Sequence, residues 1–151
     1  MITKMKGSII KVLLLLFVLA LHSCESYLIN GELDGFWQVQ TVEHLPTGKV
    51  TECNNLFYYA FQRSIVQLTK HSPYGMGDLE AQYHAGFTCS HDSIGMGDFR
   101  IYDLLGCKNK APISELKNFG IYQDYTTFHM QLSKAQLILT SDSARIVLSK
   151  L

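Results

Sequence analysis

Cys89, Ser90 and His91 set a thiol, a hydroxyl and an imidazole side by side, and His84 lies five residues before the thiol. Sulfur and imidazole nitrogen are the ligand types of a transition-metal site, so this is the first place to look for chemistry. A structural zinc site takes four such ligands in paired spacings such as Cys-x-x-Cys, and no such pair occurs. If the run around residues 79–89 is a strand, His84 and Cys89 point to opposite faces, the pattern of a surface histidine and a buried cysteine. His44, His71 and His129 read as solvent-facing strand or turn residues with nothing to link them. A hydrolase needs a nucleophile, a base in reach and a group orienting the base. There is no Gly-x-Ser-x-Gly elbow, no His-Glu-x-x-His helix, no Walker loop and no complete Gly-x-Gly-x-x-Gly. The expectation is therefore no catalytic residue, no metal and no cofactor.

Cys24 has a different chemistry in prospect. Residues Met1 to Lys11 carry Lys4, Lys6 and Lys11 with no acid, and the ten residues Val12 to Leu21 are an unbroken apolar run. That length suits the ~7–15 residues of a signal-peptide core and falls short of the ~20 needed to span a bilayer. Leu21-His22-Ser23-Cys24 resembles the bacterial lipobox, a Leu and a small residue leading to the Cys that is lipidated and becomes the new N-terminus. The resemblance implies a signal peptide over 1–23, a membrane-anchoring acyl group on Cys24 and residence in a bacterial cell envelope at the outer membrane. The alternative is an ordinary cleaved signal beside an incidental Cys.

The mature chain, Cys24 to Leu151, has 128 residues (151 less 23), enough for one sizeable core. All 13 acids but only ten of the 13 basic residues lie in it, a formal charge of −3. Nucleic acid calls for a basic patch, and a mildly acidic surface without charge runs excludes it as a partner. Cys53, Cys89 and Cys107 remain once the anchor is set aside. Export permits a disulfide, but three thiols allow one bridge and leave one free, and burial as three small hydrophobes fits equally well.

Strands must position whatever this chain uses. Residues 24–32 read as a polar tether and 33–151 as one domain. From Leu33 to Glu43, Trp37, Val39 and Thr41 share one face and Gln38 and Gln40 the other, the period-two alternation of a half-buried strand. His44 to Gly48 is a turn. Phe57, Tyr59 and Phe61, then Val66 and Leu68, give two strands joined near Arg63-Ser64. The cleanest run places Leu79, Ala81, Tyr83, Ala85, Phe87 and Cys89 on one face. Ala81 and Ala85 would leave room beside the aromatics. Gly75-Met76-Gly77-Asp78 recurs as Gly95-Met96-Gly97-Asp98, read as two similar turns or bulges. Phe99 and Ile101 mark a strand ending near Tyr102. Pro112 at a first helical position, Ile113, Leu116 and Phe119 at helical spacing and Gly120 beyond predict a short helix that plugs a barrel end. Phe128 to Leu132, Leu137 with Leu139, and Ile146 with Leu148 return to strands. About eight strands with short connections predict an all-β, up-and-down antiparallel barrel or a sandwich.

Gly35-Phe36-Trp37 resembles the Gly-x-Trp on the first strand of lipocalin and lipocalin-like barrels. Phe128-His129-Met130-Gln131-Leu132 and Ile146-Val147-Leu148-Ser149-Lys150 are similar in pattern to the closing strands of small bacterial lipocalin-like lipoproteins. The resemblance implies a lipocalin-like barrel that binds a small apolar or amphipathic molecule. Its interior would be lined by Trp37, Val39, Tyr59, Phe61, Tyr83, Phe87, Phe99, Phe128 and Met130. Eight strands enclose a space that is either packed solid or holds one small ligand. A filled barrel presenting loops or an edge strand to a partner protein is the competing expectation.

Overall fold

The computed structural model describes residues 29–74, 78–103 and 106–151. The expected signal peptide, the expected anchor Cys24 and the first Gly-Met-Gly copy at 75–77 lie outside the described residues. The fold is one antiparallel sheet of nine strands: β1 (Gly35–His44), β2 (Lys49–Glu52), β3 (Phe57–Gln62), β4 (Ile65–His71), β5 (Leu79–Cys89), β6 (Ser93–Ile101), β7 (Tyr125–Leu132), β8 (Gln136–Thr140) and β9 (Ala144–Lys150). Eight of them close into a barrel, because β1 pairs with β3 on one side and with β9, from Trp37↔Lys150 to His44↔Ala144, on the other. β2 is the ninth and was not anticipated. Its four residues are all exposed, so no apolar alternation announces it. It folds back on Thr41–His44, prolonging the edge of β1 that β3 occupies over Gly35–Gln38.

Alternation of inward apolar and outward polar side chains builds the wall, and two bulges interrupt it. In β1 the register against β9 jumps between Val39 and Thr41, so Trp37, Val39 and Val42 are buried. The expected Thr41 is only half-buried, because an extra residue in one strand rotates everything after it by one position. In β6 the register slips between the pairs His84↔Arg100 and Gly86↔Gly97, and Asp98 takes φ +55°. The second Gly-Met-Gly-Asp is thus a bulge inside a strand, and β6 begins at Ser93, earlier than Phe99 and Ile101 suggested. In β5, Tyr83, Ala85 and Phe87 are buried as expected, whereas Leu79 and Cys89 are exposed at its ends.

Polar side chains on the outside are tied together, with Phe36, Ile65 and Leu79 exposed among them. The Gln38 side chain donates to Asn55 Oδ1 (2.7 Å), Gln40 to Ser149 Oγ (2.7 Å) and Gln67 to Thr69 Oγ1 (3.1 Å). With apolar residues inward, this wall is the reverse of a membrane-spanning barrel, whose apolar band faces out.

The two ends are closed differently. At the floor, Leu33 belongs to a 3₁₀ turn, Gly31–Leu33, and not to the strand. Trp37 is fully buried above it, donating from Nε1 to the Leu33 carbonyl (2.8 Å). Lys150 Nζ sits 4.9 Å from the centre of the indole and donates to the Glu32 carbonyl. At the mouth lies helix α1 (Ile113–Leu116), followed by a 3₁₀ turn, Lys117–Phe119. Pro112 is its N-cap, with extended backbone (ψ 138°), one position outside the helix and not its first residue. Gly120 ends the plug in the left-handed region at φ +82°, and a Cβ there would lie 2.6 Å from Ile146 Cγ1, so only glycine lets the chain pass this close to β9.

Candidate functional site: the barrel interior and its plug

Eight strands bring all nine expected lining residues together. Trp37, Val39, Tyr59, Phe61, Tyr83, Phe87, Phe99, Phe128 and Met130 all point inward, and none is more than 8 % exposed. Six of them are at 1 % or less, so no water-sized space adjoins those side chains. The aromatics pack on one another: Phe61 meets Phe87 edge-on at 5.4 Å, and Tyr59 stacks on Phe61 at 5.9 Å.

Phe119 is the core of the plug. Its ring stands edge-on to Phe57 (5.1 Å), Tyr83 (6.0 Å) and Tyr59 (6.2 Å), and it is 1 % exposed. Full burial of such a side chain contributes about 1.5–3 kcal/mol. The Tyr59 hydroxyl donates to the Phe119 carbonyl (2.7 Å), and the Tyr83 hydroxyl lies 3.4 Å from Glu115 Oε2. Burial pushes the Tyr59 phenol far up. It also raises Tyr83, with the nearby Glu115 charge adding, to about 12. Both phenols therefore stay protonated at neutral pH and act as donors that hold the plug, not as acids.

The other candidate chemistry does not assemble. His84 faces outward, stacked on Tyr102 at 4.8 Å, while Cys89 and His91 are exposed near the floor. Among the described residues no three His, Cys, Asp or Glu side chains come together, and Cys53, Cys89 and Cys107 are all unpaired. Cys53 is buried beside the mouth, where burial and then the Glu52 charge raise its thiol to about 11. Sequence reasoning missed Phe119 as a partner of Tyr59. The helical spacing placed Phe119 on the buried side of the plug but could not say which wall it meets.

A closed antiparallel barrel of eight strands, with Gly-x-Trp on its first strand, is the arrangement of the lipocalin-like class. The model of the lipocalin-like domain matches residues 17–151, and the chain belongs to that family. Two solved structures share the fold. A lipocalin-like protein from Bacteroides uniformis is 18 % identical with a TM-score of 0.59, the match covering 80 % of this chain and all of that one. An uncharacterized protein from Bacteroides eggerthii is 20 % identical with a TM-score of 0.58, the match covering 79 % of this chain and 99 % of that one. No curated protein matches the sequence.

Proposed function

We propose that the protein is a lipid-anchored module of the bacterial envelope whose filled barrel presents its rim and loops to a partner protein. The fullness of the interior carries this reading. Six of the nine side chains that could have lined a pocket are at 1 % exposure or less, and Tyr59 and Tyr83 pack against Phe119, which supports the surface as the working part. The polar outer wall supports attachment through an acylated Cys24 and not through the barrel itself. Each buried CH₂ contributes about 0.8 kcal/mol, so one acyl chain binds reversibly and two or more persist. Cys24→Ser should move the protein into the soluble fraction; unchanged membrane retention rejects the anchor. Trp37 emission should stay flat on titration with a panel of lipophilic molecules, and a partner should be recovered by cross-linking from membranes.

One observation favours a second reading, a small apolar or amphipathic ligand held in the barrel. Phe57, Ala81 and Ile113 are only half-buried around the plug, and the Tyr83–Glu115 contact of 3.4 Å is long, so the mouth is the weaker of the two closures. The ligand would enter as the helix withdraws. Quenching or a blue shift of Trp37 at micromolar ligand would replace the first reading by this one.

A further inference from the structure

β7 outruns its neighbour. It is paired with β6 back to Gly97↔Tyr125, but with β8 only from His129↔Thr140 to Leu132↔Leu137, because the chain leaves β8 at Thr140 and turns through Ser141-Asp142-Ser143 into β9. The Met130 amide donates to the Asp92 carbonyl (2.7 Å) and the Asp98 amide to the Asp124 carbonyl (2.9 Å). Successive residues of an antiparallel strand turn their N–H and C=O to opposite neighbours, so the even-numbered residues here serve β6 and the odd-numbered ones face β8. His129 and Gln131 meet β8 there. Tyr125 and Thr127 reach past its end, two rungs of a ladder with no strand opposite.

That gap is a window in the rim, a cavity of about 250 Å³ bounded by Tyr122, Gln123, the start of β7 and the Ser141–Ser143 turn. Its frame is fixed. Ser141 Oγ accepts from the Ser143 and Ala144 amides (3.3 and 3.1 Å), Tyr122 stacks on His44 at 4.6 Å, and Tyr125 lies against Gly97 so closely that a Cβ there would come within 2.7 Å of Tyr125 Cα. Inside this frame polar groups are unspent. Thr126 Oγ1 is shielded from solvent without a partner. Asp142, exposed at the tip of the turn, is one of several acids among the described residues, with Glu43, Glu52 and Asp92, that hold no cation, and of these it is the one that borders the window.

We propose that this window takes the tip of an extended, positively charged peptide, which adds as a short strand opposite Thr127 and sets an ammonium group against Asp142. Main-chain hydrogen bonds to an unpaired strand edge supply affinity, and the flanking charge supplies choice of partner. The volume lies below the ~300 Å³ where drug-sized sites begin, which limits the inserted part to a residue or two. The proposal rests on the partner-binding reading above and names its surface.

The test is a titration of the ¹⁵N-labelled full chain in detergent micelles, following the Thr127 and Ser143 amides. The probes are the amidated tripeptide Lys-Val-Thr, its acetylated counterpart Glu-Val-Thr, and N-acetylglucosamine as a neutral saccharide. Saturable shifts are expected with the lysine peptide, with at least about ten-fold weaker binding of the acidic peptide and about ten-fold weaker binding of the lysine peptide to Asp142→Asn, about 1.4 kcal/mol in each case. Asp142→Asn is exposed and should melt with wild type. The proposal falls if no amide saturates with the lysine peptide, if Asp142→Asn responds as wild type does, or if the acidic peptide or the saccharide binds more tightly. Silent window amides with a silent Trp37 remove this surface alone; silent window amides with a Trp37 that responds to lipophiles remove the partner-binding reading as well.

Discussion

The Tyr59 hydroxyl donates to the Phe119 carbonyl across 2.7 Å, joining the middle of β3 to the last residue of the plug. Both groups are buried, so removing the donor leaves a carbonyl without a partner, a loss of about 1–3 kcal/mol. Tyr59→Phe keeps the ring and its packing. Its unfolding free energy from urea titration should fall by that amount, and the amides of Lys117–Phe119 should exchange with solvent faster relative to those of β9. Equal exchange in the plug would show that packing of Phe119 alone holds it.

Gly120→Ala should cost about 1–3 kcal/mol, since it combines a left-handed backbone with a Cβ 2.6–2.7 Å from two carbons of Ile146. Lys117→Ala, exposed three residues earlier, should stay within ~0.5 kcal/mol of wild type. Denaturant midpoints of the two variants decide it, and similar values would mean that β9 gives way easily.

Lys150→Met retains length and loses charge over the indole. The cation–ring contact contributes about 0.5–1 kcal/mol, and the bond to the Glu32 carbonyl is lost with it. Thermal melting should drop, with Trp37 emission unchanged in the folded state because the ring remains covered by Leu33. A red-shifted native spectrum would mean that Lys150, not Leu33, keeps water from the floor.

Burial lowers His84 from its ordinary value of 6.5, and its Nε2 is shielded without a partner. The unfolded chain therefore binds more protons than the folded one between the two values. Stability is full above about pH 6.5 and is lost as pH falls toward the folded-state value. His84→Gln should flatten the decline in melting temperature between pH 7 and 5. Parallel curves for wild type and variant would contradict this.

The thiols should differ in reactivity. Cys53 is buried and raised to about 11, whereas Cys89 is also raised by burial but exposed at the end of β5. In the Cys24→Ser chain at pH 8, maleimide should modify Cys89 well before Cys53, read by peptide mass spectrometry. Equal rates would mean that the mouth opens on the time scale of labelling.

The barrel could be read from the sequence because burial on one side of a sheet leaves a period of two, clearest at Tyr83, Ala85 and Phe87. The plug was legible from Ile113, Leu116, Phe119 and Gly120. Val42 in place of Thr41 was not, since a bulge depends on how β9 meets β1 and leaves no mark at Gln40. β2 was invisible for want of a buried residue. Whether the interior was hollow turned on the fit of Phe119 among Phe57, Tyr59 and Tyr83, a matter of shape between distant segments. The rim window arises from a difference in length between β7 and β8, which alternation alone does not disclose.

Pairing of β1 with β9 makes the first and last walls of the barrel one seam, with β3 to β8 between them. During synthesis no closed cylinder can exist until Ala144–Lys150 has left the ribosome, so two raw borders, on β1 and β8, stay available to neighbouring chains until the end. A nascent chain stalled before that point would be sticky in a way the finished molecule is not.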